Sequence, residues 1–355
     1  MSTDHDTNRT DRPPVPPVPP IVSPGYMPQR TPDRPRRGRR RRLVALLVTA
    51  MVLLFPVAVV LYGAHDLNSN ITRLDGLLPP AAGRPPHASG PAAEAVNVLV
   101  LGDDAGSGAP SSTRSPRNVA DLGGVSVGSL MVLHIDADRR GVSVISIPPD
   151  AWVDVPGHGR ATIGTASSWG GPSLVVGAFE KLAGVRIDHV AVIGWDGYKA
   201  MIDTLGGVDV TIPAAADANT SDRWTPGTHH MDGSDALLYV RERSDRAGGE
   251  LQSVARRQEV LRGLSARAAA ITSSPVTVYR LLESLTDHLA VDSGWGATAM
   301  AKLALSLRGL GASDVTYIRI PVAGTGRLSD KGVVSLDRDA GNALWAAVRD
   351  DRMSG

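Results

Sequence analysis

Hydrophobic positions change their period several times along the chain, and each change marks an element. "NVLVLG" (97–102) is a short, nearly continuous apolar run, which predicts a strand buried on both faces. "SLMVLHI" (129–135) and "VSVISI" (142–147) predict two more strands, joined through the "DADRRG" turn. In "PSLVVGAFEKLAG" (172–184) the spacing becomes helical, at Leu174, Val175, Ala178 and Leu182, with a proline start and a glycine stop. "HVAVIGW" predicts a strand, "DGYKAMIDTLGG" a helix capped by Asp196, and "VDVTIP" a further strand. "DGSDALLYVRER" opens another helix, and "VARRQEVLRGLSARAAAI" has the pattern of a long one. "VTYIRIP" (315–321) is a late strand and "AGNALWAAVRDD" a closing helix. The mixture predicts an α/β sandwich, a mixed central β-sheet covered by helices, over residues 96–350.

The pattern ahead of that domain is of another kind. Residues 1–42 are polar and proline-rich, and "PPVPPVPP" (13–20) suits polyproline II, as a solvated spacer or a docking peptide for a cytoplasmic partner. "LVALLVTAMVLLFPVAVVLYG" (43–63) is an uncharged apolar run of bilayer-spanning length, and it predicts one transmembrane helix that tolerates Pro56. Seven arginines between Arg34 and Arg42 precede it, so the tail is expected in the cytoplasm and everything after residue 63 outside. A cleaved signal peptide would carry a shorter apolar region. The reading is a single-pass cell-membrane protein, with residues 64–95, including "PPAAGRPPHASGPAAEA", as an extracytoplasmic linker.

Charge sharpens this division. The net charge of +1 conceals a tail with ten basic and four acidic residues, against 27 basic and 32 acidic residues in the remainder. An acidic body argues against a nucleic-acid partner. The absence of cysteine excludes disulfides, thiolate metal sites and cysteine nucleophiles. Within the acidic body, "YVRERSDRAGGELQSVARRQEVL" (239–261) concentrates Arg241, Arg243, Arg246, Arg256 and Arg257. Guanidinium forks at this density suit phosphate. The plainer alternative is a solvated pair, Arg241 and Arg243, bridging Glu242, Asp245 or Glu250. Arg256 and Arg257 are adjacent on a helix, so one of them is expected to be solvated. Asp103 and Asp104 end a strand, where aspartates commonly satisfy turn amides. His229 and His230 fit a turn; Trp152, Trp169, Trp195 and Trp224 fit core or rim positions better than sugar platforms. The chain has no Walker loop, zinc spacing or nucleophile elbow.

Taken in order, "NVLVLGDD", "SLMVLHIDADRRGVSVISIPPDAWVDVPG", "WGGPSLVVGAFEKLAGVRIDHVAVIGWDGYKAMIDTLGGVDVTIP" and "GTHHMDGSDALLYVRERSD…GG…RRQEVL" resemble the LytR–CpsA–Psr family of cell-envelope proteins. The resemblance covers roughly residues 95–350. It implies transfer of a glycopolymer from a polyprenyl-pyrophosphate carrier to peptidoglycan, with Mg²⁺, on the outer side of the membrane. On that resemblance Asp104, with Asp103 beside it, takes the metal side, Arg241 and Arg243 form the arginine pair, and Asp150 and Arg256 keep their places.

The same alignment of motifs exposes departures. Ser126 and Gly128 stand where the family has arginine and a second acidic ligand, and Pro149 stands for another arginine. Thr162-Ile163-Gly164 replaces a Lys-Ile-Asn signature, Ser253 an arginine and Arg257 a glutamine. Arg114 or Arg117, and Arg257, are expected to compensate at the pyrophosphate, and Asp121 to serve as the missing acidic ligand. The resemblance therefore implies either a ligase or a non-catalytic relative that binds polyprenyl phosphate or wall polymer.

Overall fold

A computed structural model describes residues 71–103, 127–213, 224–242, 249–271, 287–307, 309–328 and 331–353. All belong to one compact unit, Ala58–Gly355. The apolar run at 43–63 lies outside the described residues. Among those described, no helix is long and apolar enough to cross a membrane.

Seven strands form the main sheet: β1 (Thr72–Leu74), β2 (Val96–Asp103), β3 (Val127–Ile135), β4 (Val142–Ile147), β7 (His189–Gly194), β10 (Leu289–Asp292) and β11 (Val315–Arg319). Their order is β1-β10-β7-β2-β3-β4-β11. Strands β2 and β7 are parallel, as are β4 and β11, whereas β3 runs antiparallel to both its neighbours. The sheet is mixed, as the sequence predicts. Three hairpins accompany it: β5 (Trp152–Val155) with β6 (Gly159–Thr162), β8 (Val208–Ile212) with β9 (Gly227–Met231), and β12 (Val322–Leu328) with β13 (Lys331–Leu336).

Helices cover both faces. On the first face Leu99, Leu101, Leu130, Val132, Ile145 and Ile147 are buried against α1 (Ala166–Ala183) and α6 (Arg338–Arg349). Gly170 and Gly171 break α1, and Pro172 restarts it where its missing N–H leaves no bond unmade. Gly184 stops it in the left-handed region, φ 60°, its N–H reaching the Glu180 carbonyl at 2.8 Å. The second face is shared between α4 (Gly249–Ile271) and α5 (Ala297–Ser306). Gln258 of α4 bonds Ser146 Oγ at 3.1 Å and the Ile318 carbonyl at 3.0 Å. Met300 and Leu303 of α5 pack with Val98, Ala191 and Val291. A separate apolar cluster joins α2 (Trp195–Thr204), α3 (Gly233–Arg241), α4 and the β8–β9 hairpin.

Three expectations change. Residues 64–95, expected as a linker, contribute the edge strand β1 and the fully buried Leu74 and Leu77. Arg84 also reaches into the fold, where its guanidinium grips the buried Glu180 at 2.7–3.1 Å. Gly194, not Asp196, occupies the cap of α2, and Asp196 sits in the first turn, where its charge still suits the helix dipole. His229 and His230 lie within a strand, where His230 Nδ1 meets Asp209 Oδ1 at 2.8 Å.

Candidate functional site

The carboxyl end of β2 is the centre of the candidate site. Asp103 ends that strand, opposite Gly194 of β7 and Val127 of β3. A shift of register between Gly102 and Asp103 leaves Gly128 outside the pairing, a bulge that bends β3 at this edge. Gly102 permits the close approach: a Cβ there would lie 2.1 Å from Ser129 Oγ. The chain leaves β7 directly into α2, so the amino end of a helix faces the same edge. Its cap, Gly194, offers no side-chain hydrogen bond to the first-turn amides. Such an end attracts anions.

An arginine stands at that helix end. Arg241, exposed at the last position of α3, places its guanidinium 5.5 Å from the centre of the Trp195 ring. One turn along α2, Tyr198 meets Trp195 edge-on at 6.1 Å. Burial pushes the Tyr198 hydroxyl well above the usual phenol range, against the opposing pull of the nearby Arg257 charge. That hydroxyl has no hydrogen-bond partner among the described residues. Arg257 is half-buried on α4, with its Nε shielded from solvent.

Arg256 does different work. It is 7% exposed, lies 5.5 Å over the Tyr239 ring, donates to the Glu242 carbonyl and stands 3.7 Å from Glu242 Oε2. One nitrogen of its fork thus ties α4 to the end of α3, a scaffold role. Of the adjacent pair, Arg256 is buried and Arg257 only half-buried, so Arg257 keeps the greater access to solvent. Asp150 follows β4 at the same edge, two strands from Asp103, or about 10 Å at the usual strand spacing. Its carbonyl accepts from Val334 N at 2.8 Å. Asp104, Arg114, Arg117, Asp121 and Arg243 lie outside the described residues.

Between α4 and α5 the second face of the sheet presents Val100, Met131 and Ile193 only half-buried, whereas Leu99, Leu101, Val132 and Ile145 on the first face are fully buried. An aliphatic strip thus leads away from the arginine end. A cavity of about 560 Å³ beside α1 and α6 is lined by Trp152, Asp154, Lys181, Arg338 and Asn342, and by none of Asp103, Asp150, Arg241, Arg256 and Arg257.

A model of the LytR_cpsA_psr family matches residues 80–349. The chain belongs to that family. The probable cell wall biosynthesis protein LcpB of Corynebacterium glutamicum is 31% identical over 261 residues, which cover 71% of this chain and 61% of that protein. The chain thus spans about three fifths of that relative's length. The LytR-Csp2A-Psr enzyme from Actinomyces oris superimposes with a TM-score of 0.59 at 22% identity, over 79% of this chain and 96% of that one. TagT bound to LI-WTA gives 0.57 at 19%, over 77% and 98%. These structures share the fold.

Within this LytR–CpsA–Psr chain, three positions that depart from the family pattern meet in space. Gly164 N donates to the Pro149 carbonyl at 2.8 Å. A Cβ at Gly164 would lie 3.1 Å from Pro149 Cβ and 3.4 Å from the Val127 carbonyl, next to Gly128. A side chain at Gly164 would therefore press on Pro149 by a few tenths of an ångström. The sequence presents Trp195 only as an aromatic of core or rim and Glu242 only as a neighbour of Arg241 and Arg243, and it does not single out Tyr198 or Gln258. Their partners lie on other elements, and no local spacing announces them.

Proposed function

We propose that the chain is a membrane-anchored cell-envelope protein that transfers a glycopolymer from a polyprenyl-pyrophosphate carrier to peptidoglycan. The observation that carries this reading is the exposed guanidinium of Arg241 over Trp195, the first residue of α2, whose amino end has no side-chain cap. A pyrophosphate there would meet a cationic fork and backbone amides together, the combination that neutralises a departing diphosphate. The half-buried strip of Val100, Met131 and Ile193 offers a prenyl chain an apolar bed. Family membership and the binding of LI-WTA by TagT favour a glycopolymer such as wall teichoic acid as cargo.

Mg²⁺ belongs to the proposal. The described residues supply the carboxylate of Asp103 at this edge, and Asp104 and Asp121 would complete the set. Mg²⁺ takes one or two carboxylates with phosphate oxygens and water, so this donor type fits. When bound, it would withdraw charge from the pyrophosphate.

The contact of Gly164 with Pro149, next to Gly128, favours a second reading, a non-catalytic protein that holds polyprenyl phosphate or wall polymer. Purified full-length chain incubated with geranylgeranyl pyrophosphate, with and without Mg²⁺, separates the two. Transfer chemistry predicts Mg²⁺-dependent phosphate release, reduced about tenfold by Arg241→Ala, the loss of one charge-assisted hydrogen bond. Tight binding without release supports the second reading, and absence of binding rejects the transfer reading and the polyprenyl-phosphate form of the second.

A further inference from the structure

The opposite end of the sheet carries a cluster that none of this chemistry uses. His134, the penultimate residue of β3, is fully buried beside Asn97 of β2. Its Nδ1 lies 2.8 Å from Asn97 Oδ1. The Asn97 amide is oriented by its own Nδ2, which donates to the Arg186 carbonyl at 3.2 Å. Asn97 therefore presents an acceptor, and the imidazole must carry its proton on Nδ1. The other nitrogen, Nε2, points at Asp351 Oδ1, 3.1 Å away, and Asp136 Oδ1, 3.7 Å away. In a ring with one proton that is a lone pair facing two carboxylates. Something positive belongs between them.

A second proton is one candidate and a metal ion the other. The spacing suits a metal. Donors bound tetrahedrally at about 2.0–2.2 Å stand about 3.4 Å apart, between the 3.1 and 3.7 Å found here. One donor atom from each of the three residues lies within 4.8 Å of the others. Ala137 N donates to both oxygens of Asp351, at 3.1 and 3.2 Å, and so fixes the carboxylate's approach. Asp351 is the more open member, with its side chain 13% exposed, which provides a way in.

We propose that His134, Asp136 and Asp351 form a divalent-metal site that ties the residues after α6 to the sheet. An imidazole with two carboxylates prefers Zn²⁺ or a similar transition ion to Mg²⁺. This site lies at the opposite end of β3 from Asp103 and is independent of the pyrophosphate reading. Asn97 acts as the outer partner that sets the ring's tautomer.

The test uses full-length chain in detergent, stripped with EDTA and then dialysed against ZnCl₂. Wild type should retain one more equivalent of zinc than His134→Gln or Asp351→Asn, which corrects for adventitious histidine binding elsewhere. Zinc should raise the melting temperature of wild type and leave that of Asp351→Asn unchanged. Asn97→Ala should weaken zinc affinity about 10- to 100-fold. Co²⁺ in place of zinc should give the visible absorption of a four-coordinate site, which keeps the proposal testable should His134→Gln fail to fold. Equal zinc content in all variants, or a doubly protonated His134 ring in ¹⁵N spectra of the zinc-treated protein, would overturn it.

Discussion

Arginines of one cluster, fifteen positions apart, divide between scaffold and ligand duty, and burial decides which does which. Arg256 is enclosed by Tyr239 and Glu242, while Arg241 is exposed over the face of Trp195. Removing one partner of a buried ion pair typically costs about 3–5 kcal/mol. An exposed cation–π contact contributes about 0.5–1 kcal/mol. Arg256→Ala should therefore lower unfolding free energy by about 3 kcal/mol, and Arg241→Ala by less than about 1 kcal/mol, in urea titrations of the purified chain. Pyrophosphate affinity should move the other way, with Arg241→Ala losing binding while its fold persists. An Arg256→Ala protein as stable as wild type would remove the scaffold assignment.

Among elements, the contact of α2 with α3 governs where Arg241 stands. Gly233 opens α3, and a Cβ there would lie 2.4 Å from the Lys199 carbonyl, a backbone atom that cannot swing aside. The Gly233 N–H donates to Asp203 Oδ1 at 2.8 Å, which draws the two helices together. Asp232 caps α3 by accepting from Ser234 N and Asp235 N at 2.9 and 2.8 Å. Gly233→Ala should cost about 1–3 kcal/mol by overpacking and also weaken pyrophosphate binding, because it shifts Arg241 against Trp195. Asp232→Ala should cost about 1 kcal/mol and leave the affinity unchanged. Calorimetric titration beside chemical denaturation distinguishes them, and equal affinity losses would mean that α3 frays rather than shifts. The elements that hold this site were legible in sequence because period and punctuation agreed: VSVISI is β4, and Pro172 and Gly184 bound the long arm of α1. The strands β1, β5, β6 and β10 were not, since three or four residues carry too little pattern and pair only through tertiary contact. The largely exposed β12 offers no apolar alternation. At the site, the arginines were visible as a charge cluster, but their division of labour depends on tertiary contacts: Trp195 of α2 lies under Arg241 of α3, and Tyr239 of α3 and Glu242 just after it enclose Arg256 of α4.

At the scale of the molecule, the proposed anchor and the domain meet in a segment that is itself structural. The arginine run before residue 43 and the apolar stretch behind it predict an exterior domain, so alkaline phosphatase fused behind Gly355 should be active in cells. An inactive phosphatase, with a fluorescent cytoplasmic reporter at the same point, would reverse the topology. The approach to the domain is a matter of folding rather than reach. Thr72–Leu74 adds an edge strand parallel to β10, Leu74 and Leu77 are fully buried, and Ser293 N donates to the Leu74 carbonyl at 3.1 Å. Arg84 then closes on Glu180, whose carboxylate is 3% exposed and also accepts from Ile187 N at 2.9 Å. A flexible tether would leave stability unchanged when cut away. These contacts predict the reverse: a chain beginning at residue 96 should melt well below one beginning at residue 64. Arg84→Ala in the longer chain should by itself lose about 3–5 kcal/mol of stability, because it leaves a buried carboxylate without its cation. Arg84→Ala with Glu180→Leu should be the milder change, since replacing both partners by apolar groups removes the stranded charge. Equal melting of the two chain lengths would return residues 64–95 to the role of a spacer.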